Sequence, residues 1–174
     1  MEVPDPELSR RHAAYHESGH VIADLVSGYR FTLVTIRPDN SGEYDGGVCG
    51  GRRGRVRDLA VVQLAGLVAS AKMAGYDPWK KPTRFDDDRA DIAAADSFVD
   101  HWAAFVSRTY GESSVKENLW DEIGEKTREL VDRNWKPVEV IAGALLEKET
   151  LAYAEIVRIL KDKCPDFTIG ETPG

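Results

Sequence analysis

The stretch AAYHESGHVIADLV, residues 13–26, constrains the fold of this chain more than any other. Asp5-Pro6 ahead of it is a helix-start signal, an N-cap followed by proline in the first turn, and Gly28 is a stop. Between them fits a helix of about six turns at 3.6 residues per turn. Val21, Ile22, Leu25 and Val26 give it an apolar face, while its middle carries His16, Glu17 and His20. Gly19 sits where glycine costs up to about 1 kcal/mol relative to alanine. Either close packing or access for a substrate or strand past the small pair Ser18 and Gly19 accounts for that choice.

The remaining chain reads as further helices with one small ribbon. RFTLVTIRP (30–38) is rich in β-branched and aromatic residues and reads as a strand, and the glycine-rich stretch 42–51 turns back to pair GVCG with it. Residues 56–74 form an Ala-rich helix whose small residues allow close approach to a neighbour. YDPWKKPTRF (76–85), with two prolines, is a loop, and the acids of FDDDRAD start a third helix that runs to about Tyr110. Residues 114–134 form a fourth, with Leu119, Ile123, Leu130 and Val131 on one side. Pro137 starts a fifth, LAYAEIVRIL (151–160) forms a sixth, and the tail from 163 to 174 reads as frayed. The expected architecture is mainly α: one domain over 1–174, its core about 6–162, of about six helices with a small β-ribbon beside the histidine-bearing helix.

Composition excludes several classes. A net charge of −7 argues against a nucleic-acid binder, leaving the short basic run GRRGRVR (51–57) as a solvated loop or helix start. The glycines of GGVCGG (46–51) lack the Lys-Ser/Thr of a phosphate-binding loop. Two cysteines, Cys49 and Cys164, make no disulfide framework and point to a reducing compartment. MEVPDPELSRR has no apolar signal core, and no run approaches the length of a membrane span. A cytoplasmic protein with neither membrane nor nucleic acid as partner is expected.

His16 and His20 carry the chemistry. Residues four apart lie on one helix face with Cβ atoms roughly 5–6 Å apart, and two imidazoles so placed reach one zinc ion. Glu17 lies about 100° around the helix, beside the open metal position, where it can take a proton from zinc-bound water and pass it to a leaving amine. The competing reading is two histidines on a half-exposed helix face. A catalytic zinc usually takes three protein ligands. Glu43 and Cys49 lie in the glycine-rich turn and ribbon, and His12 would form a His ladder too splayed for one ion. The third helix has a buried stripe through Ala95, Phe98, Trp102 and Phe105, which extends back to Asp91. A carboxylate at the inner edge of an apolar stripe needs a compensating partner, so Asp91 is the preferred ligand. Asp86, Asp87 and Asp88 read as capping and dipole-matching residues, and Asp96 and Asp100 project away from the stripe.

At these segments the chain resembles the peptidase domain of the FtsH-type zinc metalloproteases. AAYHESGHVIADLV is similar to that family's AYHEAGHA helix, VTIRPD to the strand that follows, and RADIAAADSFV to its Asn-Asp-Leu/Ile segment. LAVVQLAGLVASAKMAG falls at its Ala/Gly-rich second helix, and residues 127–160 are similar to its closing helices. The resemblance implies a single Zn²⁺ held by His16, His20 and Asp91, with Glu17 as base. It also implies a polypeptide substrate held in extended form along residues 32–37, at Thr32, Val34 and Ile36, by strand addition. The implied activity is that of a metalloendopeptidase on unfolded or flexible polypeptides. Gly66-Leu67-Val68-Ala69-Ser70 departs from the family's Gly-Arg-Ala-Ala-Glu, and FDDDRAD lacks its Gly-Ala and Asn. With 15 residues before His16, no ATPase activity is expected of this chain, and hexamer formation is not carried over. The alternative is a non-catalytic or partner-dependent module that binds protein substrates, a separate ATPase or an adaptor.

Overall fold

The computed structural model describes residues 5–38, 47–49, 56–80, 85–110 and 115–171. Its elements run α1 (Pro6–Val26), β1 (Leu33–Thr35), β2 (Gly47–Cys49), α2 (Val56–Ala74), α3 (Asp86–Tyr110), α4 (Val115–Arg133), α5 (Trp135–Lys148), β3 (Thr150–Ala152) and α6 (Tyr153–Lys163). The chain is mainly helical with one small sheet, as its periodicity implies. The glycine-rich turn with Glu43, the basic run through residue 55 and residues 81–84 of the proline loop lie outside the described residues.

Local sequence sets the ends of α1. Asp5 Oδ1 accepts a hydrogen bond from the Glu7 N–H at 3.0 Å, and Pro6 has no N–H to leave unpaired. Gly28, at φ 76°, supplies the left-handed residue just past the helix. Between His12 and Leu25 every residue of α1 except Tyr15 is buried. The helix is therefore the central rod of the domain, packed by α2 and α5, rather than a surface helix with one apolar face.

α2 is sandwiched as well. Val62, Ala65, Val68 and Ala69 join the core around α1, while Ala60, Val61, Leu64 and Leu67 join a second cluster with Ala95 and Val99 of α3 and Leu119 and Ile123 of α4. Where α1 meets α2 the contact is backbone to backbone. A Cβ on Gly19 would overlap the Ala65 carbonyl group and lie 2.8 Å from the Ala69 Cβ. Gly19 is thus a packing residue. Ser18 leaves no passage for substrate either, being fully buried with its hydroxyl donating to the Ala14 carbonyl at 2.6 Å.

The ribbon is a three-stranded antiparallel sheet in the order β2-β1-β3, with Val34 opposite Val48 on one side and Leu151 on the other. β3 takes up residues that periodicity assigns to the last helix, so α6 begins at Tyr153. The turn into β3 uses Glu149 at φ 62°, whose carbonyl accepts from the Ile36 N–H at 2.8 Å. This topology corrects the expected substrate strand. β1 is paired along both edges, the Val34 and Ile36 side chains are fully buried, and the Thr32 carbonyl accepts from the Tyr153 N–H at 3.1 Å. A peptide adding at Thr32, Val34 and Ile36 would have to displace β2 or β3.

Two smaller expectations change. The tail is docked through Glu171: Phe167 and Ile169 pack on the core, and the Gly170 N–H donates to the Leu25 carbonyl at 2.8 Å. A Cβ at Gly170 would collide with the Val26 carbonyl, so glycine is required there. Phe105, expected on the buried stripe of α3, is 56% exposed. α3 has 25 residues against 19 each in α2 and α4, which leaves its last turns less to pack against. Asp96 and Asp100 lie off the stripe as expected, and both pair with Lys116 of α4, at 2.9 and 2.6 Å.

Replacing Gly19 by alanine raises helix propensity yet forces a methyl into the α2 backbone. Net destabilisation of about 1–3 kcal/mol is expected from overpacking, read from urea unfolding midpoints; a stabilised G19A variant would refute the backbone contact.

Candidate metal centre

Two helices bring His16, His20 and Asp91 to one point. The four-residue step on α1 puts both imidazoles on one face, with Nε2 of His16 and Nε2 of His20 3.1 Å apart. α3 delivers Asp91 Oδ2 to 3.0 Å from the first and 2.8 Å from the second. All three residues are buried.

Hydrogen bonds on the far side of each group fix what faces inward. His20 Nδ1 lies 2.9 Å from the Val62 carbonyl. A carbonyl only accepts, so this nitrogen carries the hydrogen and, in a neutral ring, Nε2 presents a lone pair. His16 Nδ1 is 2.9 Å from Asp88 Oδ1, and Asp91 Oδ1 accepts from the Gln63 side-chain amide. Two imidazole nitrogens and a carboxylate oxygen therefore converge. Asp91 Oδ2 itself is buried and makes no hydrogen bond of good geometry. Such a cluster of lone pairs is repulsive unless a cation joins it, either a proton or a metal ion. The donor set fits the metal: His16, His20 and Asp91 each offer an atom within reach of one ion.

Without a metal, the groups around His16 favour a proton on its ring. Burial alone would lower the His16 pKa, but the hydrogen bond to Asp88 and the close approach of Asp91 Oδ2, reinforced by the negative charges of Glu17 and Asp91, raise it well above the ordinary imidazole value. Burial would raise the carboxyls of Asp88 and Asp91; the histidines reverse this and hold both well below the usual carboxylate range. Glu17, expected beside the metal, is buried and close enough to His16 for its charge to be felt there.

α2 forms one wall of the site through a stripe that sequence reasoning passes over. Gln63 holds Asp91, Ser70 Oγ lies 3.4 Å from Asp88 Oδ1, and Gly66 stands between them over the imidazoles. A Cβ on Gly66 would lie 2.5 Å from His20 Nε2 and 2.9 Å from His16 Nε2. The signal was present: Gln63, Gly66 and Ser70 interrupt the otherwise apolar run from Leu59 to Ala71 at i, i+3 and i+7. Asp88 needs correction, because it is no solvent-facing cap. It is fully buried, with His12 Nε2 3.2 Å from its Oδ2 and His16 Nδ1 at its Oδ1. His12, dismissed as a direct ligand, stacks on Phe85 with centroids 3.5 Å apart. The side chains of Cys49, Asp86 and Asp87 and the whole of Glu43 lie outside the described residues.

The chain matches no family model and no curated protein. No described helix is long and apolar enough to cross a membrane.

Two outcomes follow from this geometry. Gly66→Ala places a methyl against both Nε2 atoms, and an overpacking cost of about 1–3 kcal/mol corresponds to roughly 5- to 150-fold weaker metal binding, measured by competition with a chromophoric chelator. The second concerns pH. A raised His16 pKa stabilises the metal-free fold fully below the unfolded imidazole value of 6.5 and is lost as pH rises through the folded value. The lowered carboxyl pKa values stabilise above 3.8 and are lost on strong acidification. Thermal unfolding of the metal-free protein should therefore lose stability on the alkaline side of neutrality, where metal, no longer opposed by that proton, gives its largest increase in Tm.

Proposed function

We propose that the protein is a zinc-dependent endopeptidase acting on unfolded or flexible polypeptides, with His16, His20 and Asp91 as metal ligands and Glu17 as general base. The observation that carries this reading is the buried triangle of two imidazole nitrogens and one carboxylate oxygen with edges of 2.8, 3.0 and 3.1 Å. Two donors at 2.0–2.1 Å from a tetrahedral zinc stand roughly 3.3 Å apart, so these atoms need to spread by only a few tenths of an ångström. Imidazole and carboxylate together suit zinc better than Mg²⁺ or Ca²⁺, which favour all-oxygen sets.

When bound, zinc supplies Lewis acidity, polarising a peptide carbonyl and making water acidic enough to lose a proton near neutral pH. The protein's own groups do the remainder. Glu17, next in sequence to a ligand but turned about 100° from it, accepts the proton of the attacking water and returns it to the departing amine. Gln63 takes up one oxygen of Asp91 and leaves the other for the metal. Val62 keeps the His20 ring in the tautomer that ligates. The sequence resemblance to FtsH-type peptidases supports the same roles for the same residues.

A second reading is favoured by the depth of the site: Glu17 is only 3% exposed. In that reading the metal stabilises a non-catalytic or partner-dependent module, which binds polypeptides or works with a separate ATPase or adaptor.

Glu17→Gln separates the two. It should keep one zinc per chain and lose about 10²- to 10⁴-fold in cleavage of an unstructured protein such as casein, the usual contribution of a general base. Chelation should abolish that cleavage and zinc restore it. Equal cleavage by E17Q and the native chain would overturn the catalytic assignment.

A further inference from the structure

The polar cluster extends one layer beyond the three ligands, and that layer is asymmetric. His20 is oriented by a neutral backbone carbonyl, that of Val62. His16 is oriented by a charged carboxylate, Asp88, which is fully buried and whose second oxygen is engaged by His12. His12 is 2% exposed and is held flat against Phe85, with ring planes 14° apart. Asp88 and Asp91 stand three residues apart on α3, a step of about 4.5 Å along the axis. One helix thus grips the same imidazole at both nitrogens, with Asp88 at Nδ1 and Asp91 beside Nε2.

We propose that Asp88, anchored by His12, is the positioning residue of the metal centre: it fixes His16 as the Nδ1–H tautomer, aims its Nε2 at the ion and makes it the more strongly donating of the two histidine ligands. Metal-bound imidazoles gain basicity and orientation when the other ring nitrogen donates to a carboxylate. The arrangement also decides between two clusters. His12, His16 and Asp88 by themselves have the residue types and proximity for an ion. An Nδ1 that carries hydrogen cannot ligate, so this second cluster is the outer layer of one site and not a second site.

The inference rests on the metal-binding part of the proposed function, and its test separates the two. Native protein, Asp88→Asn and His12→Phe are titrated with Zn²⁺ and Co²⁺ against a chromophoric chelator, and the visible spectrum of the Co²⁺ forms is recorded. Asp88→Asn keeps the size of the side chain but can present an amide N–H to His16 Nδ1, which reverses the ring tautomer. Its metal affinity should fall about 10- to 100-fold, with a changed ligand-field spectrum, while His12→Phe gives a smaller loss. Because D88N could fail to fold, ¹⁵N-edited spectra of the imidazole rings in zinc-loaded native protein provide an independent measure. They should show His16 with hydrogen on Nδ1 and the metal on Nε2. D88N affinity within twofold of native and an unchanged Co²⁺ spectrum would overturn the assignment, as would hydrogen on His16 Nε2. A native chain that binds neither metal overturns this inference and the proposed function together. Native binding without peptidase activity removes the catalytic reading and leaves the positioning role, tested by the affinities, in force.

Discussion

The backbone contact between α1 and α2 is the constraint on which the rest depends. Gly19 admits α2 at Ala65, and one residue further along α2 Gly66 admits the His16 and His20 rings. The two glycines work in opposite directions, one opening α1 to α2 and the other opening α2 to side chains of α1. Helices that cross over ordinary side chains sit 8–10 Å apart. At such a separation Gln63 and the Val62 carbonyl would be carried away from the groups they now orient. Close approach lets a helix with little polarity of its own complete a polar site, and the helix propensity sacrificed at each glycine, up to about 1 kcal/mol, is what the site costs the fold.

A central helix with three buried histidines and a buried glutamate violates the usual sorting of polar groups outward. It stands because each imidazole is tied on the side away from the cluster centre: His20 to the Val62 carbonyl, His16 and His12 to Asp88. These outward hydrogen bonds have a consequence at the centre. They commit the Nδ1 atoms of His16 and His20 as donors, so that the inward atoms are all acceptors. The polarity is fully arranged only when a cation is counted, a proton or a metal ion, and the cluster has the donor set to hold either.

How much of this was legible in sequence follows the range of the interactions. Helices delimited by local signals, such as Asp5-Pro6 and Gly28 for α1 and the Ala-rich run of α2, lie where periodicity puts them. Asp91 could be found because a carboxylate continuing an apolar stripe is anomalous on its own helix. Asp88 could not, since at the head of an acidic run it looks like any N-terminal dipole partner until α1 brings His12 and His16 to it. β3 was hidden for a similar reason: Thr150–Ala152 has no strand signal of its own and is extended because β1 offers an edge. The same pairing undid the expected peptide edge along Thr32, Val34 and Ile36. Which strand is central is a property of long-range pairing, and alternation of side chains within one strand does not encode it.

The placement of both outer and inner carboxylates on one turn of α3 links the site to the architecture. The rest of α3 is held by an apolar contact in which Ile92, Ala95, Phe98, Val99 and Trp102 pack against α2 and α4, and by exposed ion pairs from Asp96 and Asp100 to Lys116. Exposed pairs of that kind contribute at most about 1 kcal/mol each. The beginning of α3 meets α1 through Asp88 and Asp91, with Phe85 stacked on His12 just ahead of them. A cation, whether a proton or a metal ion, satisfies the convergent acceptors and so favours the contact of this turn of α3 with α1. Ligands that bind only the folded state stabilise it by mass action. A metal bound by His16, His20 and Asp91 would place that stabilisation at the junction of α1 and α3 rather than evenly over the domain.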